Sequence, residues 1–330
     1  MNRIWNVFLY VLMAQAMIAQ PLHFNRDGEF KIAQFTDLHY KLGQTAASAA
    51  LKCINEVIEA EQPDLIIVTG DIIYSCPADS TLQAVIRCID AHNIPFVMLF
   101  GNHDDEYGLT NAQLTDIIRR ARHCIQPSDP DYVLPIASND GIKEAALLYC
   151  MDSHGYSALP DIKGYAWFNF GQVAWYRSKS ESFTLQNNGM PIPALAFFHI
   201  PLPEYSEAAS TEESVLIGHR LEKVCSGKLN TGLFAAMKEK GDVMGTFCGH
   251  DHDNDFTVYH HGIVLGYGRF SGGNTEYNHL ANGARIIVLY EGKRRFDTWI
   301  RIRRGGVENH TIYPDSYVKD DWRKRPLMND

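Results

Sequence analysis

The chain has 330 residues, 45% hydrophobic and 21% charged, enough apolar material for one large α/β sandwich or two small domains. A formal net charge of -9 and a pI near 5.8 exclude a global field that would draw it to DNA, RNA or anionic lipid. Any anionic ligand must be captured locally, by metal ions or a few placed cations.

Arg3 precedes an uncharged run from Ile4 to Ala19, which ends in the stretch Ala14 to Ala19. A positive start, a short apolar core and a small-residue exit predict a signal peptide over residues 1–20, cut near Ala19 or Gln20. Export to the periplasm or the exterior follows. No later run approaches the roughly 18–20 apolar residues of a membrane span, so no stable span is expected after cleavage.

Phe30 to Thr36 is predicted as a strand and Thr45 to Glu61 as a helix, with Leu51, Ile54, Val57 and Ile58 at helical spacing. Leu65 to Thr69 is an apolar, β-branched run of buried-strand type. Asp79 is placed as the cap of a helix carrying Leu82, Val85, Ile86 and Ile89 on one side. Pro95 to Phe100 reads as the next strand and Leu114 to Ile125 as the next helix. This βαβ rhythm implies a largely parallel sheet covered by helices. Further on, Ala145 to Met151, Ala194 to Phe198 and Val243 to Cys248 read as strands, with a helix over Thr231 to Lys240. Thr257 to Leu265, Ala284 to Tyr290 and Arg295 to Ile302 read as closing antiparallel strands, and Phe296, Thr298, Ile300 and Ile302 share one face. One domain over residues 21–302 results, followed by a polar surface tail over residues 303–330. The seven cysteines form no CxxC pair, and their odd number indicates neither a zinc knuckle nor a full disulfide framework.

The chemistry sits where the strands end. The first strand runs into Asp37-Leu38-His39, the second into Gly70-Asp71 and the third into Gly101-Asn102-His103-Asp104. Later, Ala196-Phe197-Phe198 ends in His199, and Val243 to Cys248 ends in Gly249-His250-Asp251-His252. Open α/β sheets bind ligands at the carboxyl ends of their strands. In extended backbone, residues i and i+2 point the same way, which sets Asp37 beside His39 and His250 beside His252. Glycines at 70, 101 and 249 allow sharp turns, so that the side chains converge. Imidazole with carboxylate suits Zn, Mn, Fe and similar ions, and a central Asp71 is placed to bridge two of them through its two oxygens. Each motif alone is weak; the order of all five is specific.

That order, DxH, GD, GNHD, a later His and GHxH, resembles the calcineurin-like metallophosphoesterase superfamily over Lys31 to about Tyr290. The stretch Phe198 to Tyr205 and the run Gly249 to Phe256 resemble a DxH-bearing branch of purple acid phosphatase-like proteins. The resemblance implies an αββα sandwich with mixed sheets and a site at the strand C-terminal ends. It implies one metal held by Asp37, His39, Asp71 and His252, and a second held by Asp71, Asn102, His199 and His250. Two divalent or transition-metal ions (Mn, Fe or Zn) are the implied cofactors. His103 becomes the histidine beside the leaving group, with Asp104 as the candidate to orient its ring.

Gly70-Asp71-Ile72-Ile73-Tyr74 also matches the GDxxY of purple acid phosphatases, whose tyrosine ligates ferric iron. Those enzymes have DxG where this chain has Asp37-Leu38-His39, so His39 is expected in that coordination position and Tyr74 as a packing or supporting residue. The implied activity is hydrolysis of a small phosphate ester by a two-metal-activated hydroxide, acid-phosphatase-like and acting on monoesters. Hydrolysis of a nucleotide or lipid-derived diester is the alternative. A metal-binding protein without turnover would show a missing ligand or acid, and none is missing. Tyr156, Tyr165, Trp167, Trp175 and Tyr205 fall in segments that could shape the pocket, with loop packing as their expected role. Nothing in the sequence bears on oligomeric state.

Overall fold

Strands β1 (Glu29–Phe35), β2 (Leu65–Thr69) and β3 (Phe96–Leu99) are apolar on both faces, and alternation sorts their side chains into two layers. Ala33, Phe35, Ile66, Val68, Phe96 and Met98 enter one buried cluster, while Phe30, Ile32, Leu65, Ile67, Val97 and Leu99 enter another. A strand apolar on both sides must be covered on both. The first cluster is closed by helices α1 (Ser48–Glu61), α2 (Ala78–Asp90) and α3 (Asn111–Ile118). The second is closed by another sheet.

The computed structural model describes residues 22–318 apart from 213 and 274. The chain continues through β4 (Tyr132–Ala137), β5 (Glu144–Cys150), α4 (Phe170–Gln186), β6 (Ala194–Phe197), α5 (Pro203–Ser210), β7 (Leu216–Ile217) and α6 (Leu233–Lys240). It ends with β8 (Val243–Cys248), β9 (Thr257–His260), β10 (Ile263–Tyr267), β11 (Gly283–Tyr290), β12 (Phe296–Ile302) and β13 (Val307–Tyr313). One sheet has the order β13-β12-β11-β1-β2-β3 and the other β4-β5-β6-β8-β10-β9-β7. In the first, β1, β2 and β3 are parallel and β11 to β13 antiparallel; in the second, β5, β6, β8 and β10 are parallel. Helices α4, α5 and α6 cover the outer face of the second sheet, completing a four-layer αββα sandwich.

Several expectations need correction. Helix α3 ends at Ile118, not Ile125: it starts at a Thr110–Gln113 capping box, and the chain then turns back so that Cys124 bridges to Phe96. Asp79 does not cap α2; Pro77 holds that place, and Asp79 lies in the first turn, accepting from Ser80 N at 2.7 Å. Thr257 to Leu265 is a hairpin turning at His261 and Gly262, and its second strand runs parallel to β8. Nor are the residues after Ile302 a surface tail throughout. Strand β13 pairs with β12, Tyr313 stacks on Phe296 at 5.1 Å, and Tyr317 is buried. The expected signal peptide lies outside the described residues, and among those described no helix is long and apolar enough to cross a membrane. All seven cysteines stand unpaired.

Candidate metal centre

Both sheets turn the C-terminal ends of their parallel strands to one place. Gly249 N donates to His199 O at 3.0 Å, Gln34 Nε2 to Cys248 O at 3.0 Å, and His199 Nδ1 lies 2.7 Å from Thr69 O. The backbone there is not extended as the i, i+2 argument supposed. Asp37, His39, Asp71 and His250 have φ of 53°, 40°, 51° and 81°, the left-handed region that non-glycine residues rarely occupy. The side chains converge because the chain is bent at each motif, and such strain collects at functional sites. Space, more than freedom, explains two of the glycines. A methyl on Gly101 would stand 2.1 Å from Asp71 Oδ1, and one on Gly249 would stand 2.7 Å from Asp37 Oδ2.

Two trios of ligand-type atoms result, Asp37 with His39 and His252, and Asp71 with His199 and His250, each within 4.8 Å. Asp71 belongs to both halves: its Oδ2 is 3.6 Å from His39 Nε2 and 3.3 Å from His199 Nε2. Two of the ring tautomers are set from behind. His252 Nδ1 is 2.8 Å from Tyr277 O and His199 Nδ1 faces Thr69 O, so both present Nε2 inward. His39 Nε2 and His252 Nε2 then lie 3.0 Å apart, and His250 Nδ1 lies 3.3 Å from His199 Nε2. Asn102 Oδ1 is buried with no hydrogen-bond partner. Nitrogens this close, beside a bare amide oxygen, fit cations as the missing partner.

Burial keeps two of the rings neutral: it pulls His39 down to about 3 and His250 well below the usual range. At His199 burial also opposes charge, but the charge and hydrogen bond of Asp71, joined by Asp37, outweigh it and raise the ring to about 10.

His103 lies beside this cluster, its ring 5.6 Å from that of His39 and its backbone N–H 3.0 Å from Asp71 Oδ1. The partner of its ring is Glu106, with Oε2 2.8 Å from Nδ1, and not Asp104. Asp104 faces the other way, fully buried. Its two oxygens accept the backbone N–H groups of Asp71, Ile72, Ile73 and Gly101 at 2.8–3.1 Å. Burial and the charge of Asp71 push its carboxyl up to about 7, against the pull of those N–H groups. It shapes the loops that carry Asp71 and Asn102. Tyr74 packs its ring edge-on to His39 at 4.9 Å and His103 at 5.0 Å, under the Lys41 ammonium at 4.5 Å. In a third cluster, His219, Asp255 and Glu308, Arg269 pairs with both carboxylates and so supplies their cation.

The family model for calcineurin-like phosphoesterases matches residues 30–254. The chain is 31% identical to probable inactive purple acid phosphatase 29 of Arabidopsis thaliana, over 85% of its own length and 82% of the relative's. It is 31% identical to Phosphatase DCR2 of Saccharomyces cerevisiae, over 86% of this chain and 55% of that protein. A dimetal phosphatase structure from Danio rerio shares the fold, with a TM-score of 0.58 at 14% identity over 86% of this chain and 98% of that one. The purple acid phosphatase PPD1 of yellow lupin does so with 0.56 at 11%, over 88% and 55%. The motifs, the sandwich and these matches agree that the chain belongs to the calcineurin-like phosphoesterase family.

Proposed function

We propose that the chain hydrolyses phosphate monoesters with two divalent or transition-metal ions, Mn, Fe or Zn. The observation that carries this reading is Asp71 Oδ2 lying between His39 Nε2 and His199 Nε2, at 3.6 and 3.3 Å. Asp37, His39, Asp71 and His252 would hold one ion, and Asp71, Asn102, His199 and His250 the other. Bound ions supply Lewis acidity toward a phosphoryl oxygen and acidify a water nucleophile. Glu106 orients the His103 ring through Nδ1, leaving Nε2 to give a proton to the departing oxygen. Thr36 Oγ1 donates to Asp37 Oδ2 at 2.8 Å, and His250 N donates to the same oxygen at 3.0 Å, which fixes the rim of the site.

The Arabidopsis relative is named as probably inactive and the yeast relative as a phosphatase. This chain keeps every expected ligand type together with the His103–Glu106 pair, which supports turnover. Rates on p-nitrophenyl phosphate and bis-p-nitrophenyl phosphate, measured on metal-stripped protein after adding each ion, test the proposal. The expected result is metal-dependent turnover favouring the monoester. Preference for the diester would shift the substrate class, and metal binding with no turnover on either would remove the enzyme reading. The substrate is then a small phosphate ester met after export. N-terminal sequencing of protein from the native host should find a start near residue 20.

A further inference from the structure

The chain between Gly155 and Ala166 folds as a hairpin over one half of the metal centre. Ala166 N donates to Gly155 O at 3.0 Å, Ser157 N donates to Gly164 O at 2.9 Å, and Tyr156 pairs across with Tyr165. Gly155 runs against the backbone of Asn102, close enough that an added methyl would sit 3.4 Å from Asn102 Cα. The two tyrosine rings stack at 5.7 Å and 22°. From this pair, one contact reaches each of two ligands assigned to the same ion. Asn102 Nδ2 donates to the Tyr156 hydroxyl at 3.2 Å, and the Tyr165 ring stands edge-to-face with His250 at 4.3 Å and 89°. The ligands of the other ion are braced by different rings: Tyr74 and Phe270 against His39, Phe270 and Tyr277 against His252.

A side-chain amide has one end that can ligate. Its oxygen binds a cation, and its NH₂ group repels one. Which end faces the ion depends on what holds the other. At Asn102 the oxygen is buried and without a partner, while the NH₂ group is engaged by Tyr156. The phenol could hydrogen-bond either end of an amide; here its oxygen accepts from the NH₂ group at 3.2 Å, which leaves Oδ1 as the free end.

We propose that Tyr156 is a positioning residue of the second metal site, its hydroxyl holding the Asn102 amide so that Oδ1 faces the ion. This rests on the assignment of Asn102 to that ion. Tyr156 is 52% exposed, so Tyr156→Phe removes one oxygen without opening the core.

The test is calorimetric titration of Mn²⁺ alone into metal-stripped full-length wild type, Y156F, N102D and the double variant. Y156F should bind the second ion about 10–100-fold more weakly, the usual effect of losing a partner behind a ligand, with the first ion unchanged. A carboxylate at 102 offers an oxygen in either orientation, so adding Y156F to N102D should leave the second-ion affinity where N102D alone put it. Equal weakening in both backgrounds, loss of both ions together, or no weakening would each overturn the proposal. Wild type that takes up fewer than two ions would overturn the metal-centre reading beneath it, visibly and before any variant is compared.

Discussion

His103 is the residue at which the proposed ligand and acid roles can be told apart. It sits against the cluster without joining either trio, so His103→Ala should keep both metals. On alkyl phosphates its rate should fall about 10²–10⁴-fold, the usual worth of a general acid. On p-nitrophenyl phosphate the fall should be smaller, because nitrophenolate leaves with little protonation. Equal losses on both substrates, with weakened metal binding, would make His103 a loop support. The histidine was legible in GNHD, but its partner was not. Adjacency in sequence suggested Asp104, whereas residues 104–107 form a 3₁₀ turn that carries Glu106 round to the ring and turns Asp104 inward. The spacing of three residues from His103 to Glu106 is a usable signal, since it is the repeat of that turn. Nothing in the sequence separated Tyr156 from other loop aromatics, because its contact with Asn102 spans 54 residues.

At the scale of elements, the strands that carry the proposed ligands were the easiest to read. Buried on both faces, they are short unbroken apolar runs, and each ends in its polar motif. Helix α4 escaped notice for the opposite reason. Its buried positions are Gln172, Tyr176 and Ser180, a stripe at helical spacing but polar, with the Tyr176 hydroxyl satisfied by Asp242. Hydrophobic periodicity cannot register such a face. Strand β13 was hidden by its place at the sheet edge, where Val307, Glu308 and His310 face solvent and only Thr311 and Tyr313 are buried. A chain ending after Ile302 should therefore lose stability, since burying one such aromatic is worth about 1.5–3 kcal/mol and both Tyr313 and Tyr317 would go. Thermal melts of the truncated and full chains check this. An unchanged melting temperature would return these residues to the status of a surface tail.

For the whole molecule, two sheets from distant parts of the chain must stack before the centre exists. Asp37, His39, Asp71 and Asn102 follow strands of one sheet, while His199, His250 and His252 follow strands of the other. The pooled charge should also make metal uptake depend on pH. Asp71 and Asp37 raise His199 to about 10 against the pull of burial, so at neutral pH an entering ion should displace its proton. Affinity for that ion should fall as pH drops below 10, and binding should release protons, detectable as a buffer-dependent heat in calorimetry. Heats that do not vary with buffer would contradict this. The central claim is that one carboxylate serves both ions, and metal stoichiometry tests it most directly. Wild-type protein should hold two ions per chain, and Asp71→Asn should weaken both together, because the poorer amide ligand acts on both halves. A wild-type chain with a single ion, or an Asp71→Asn variant that keeps one ion at full affinity, would contradict the account.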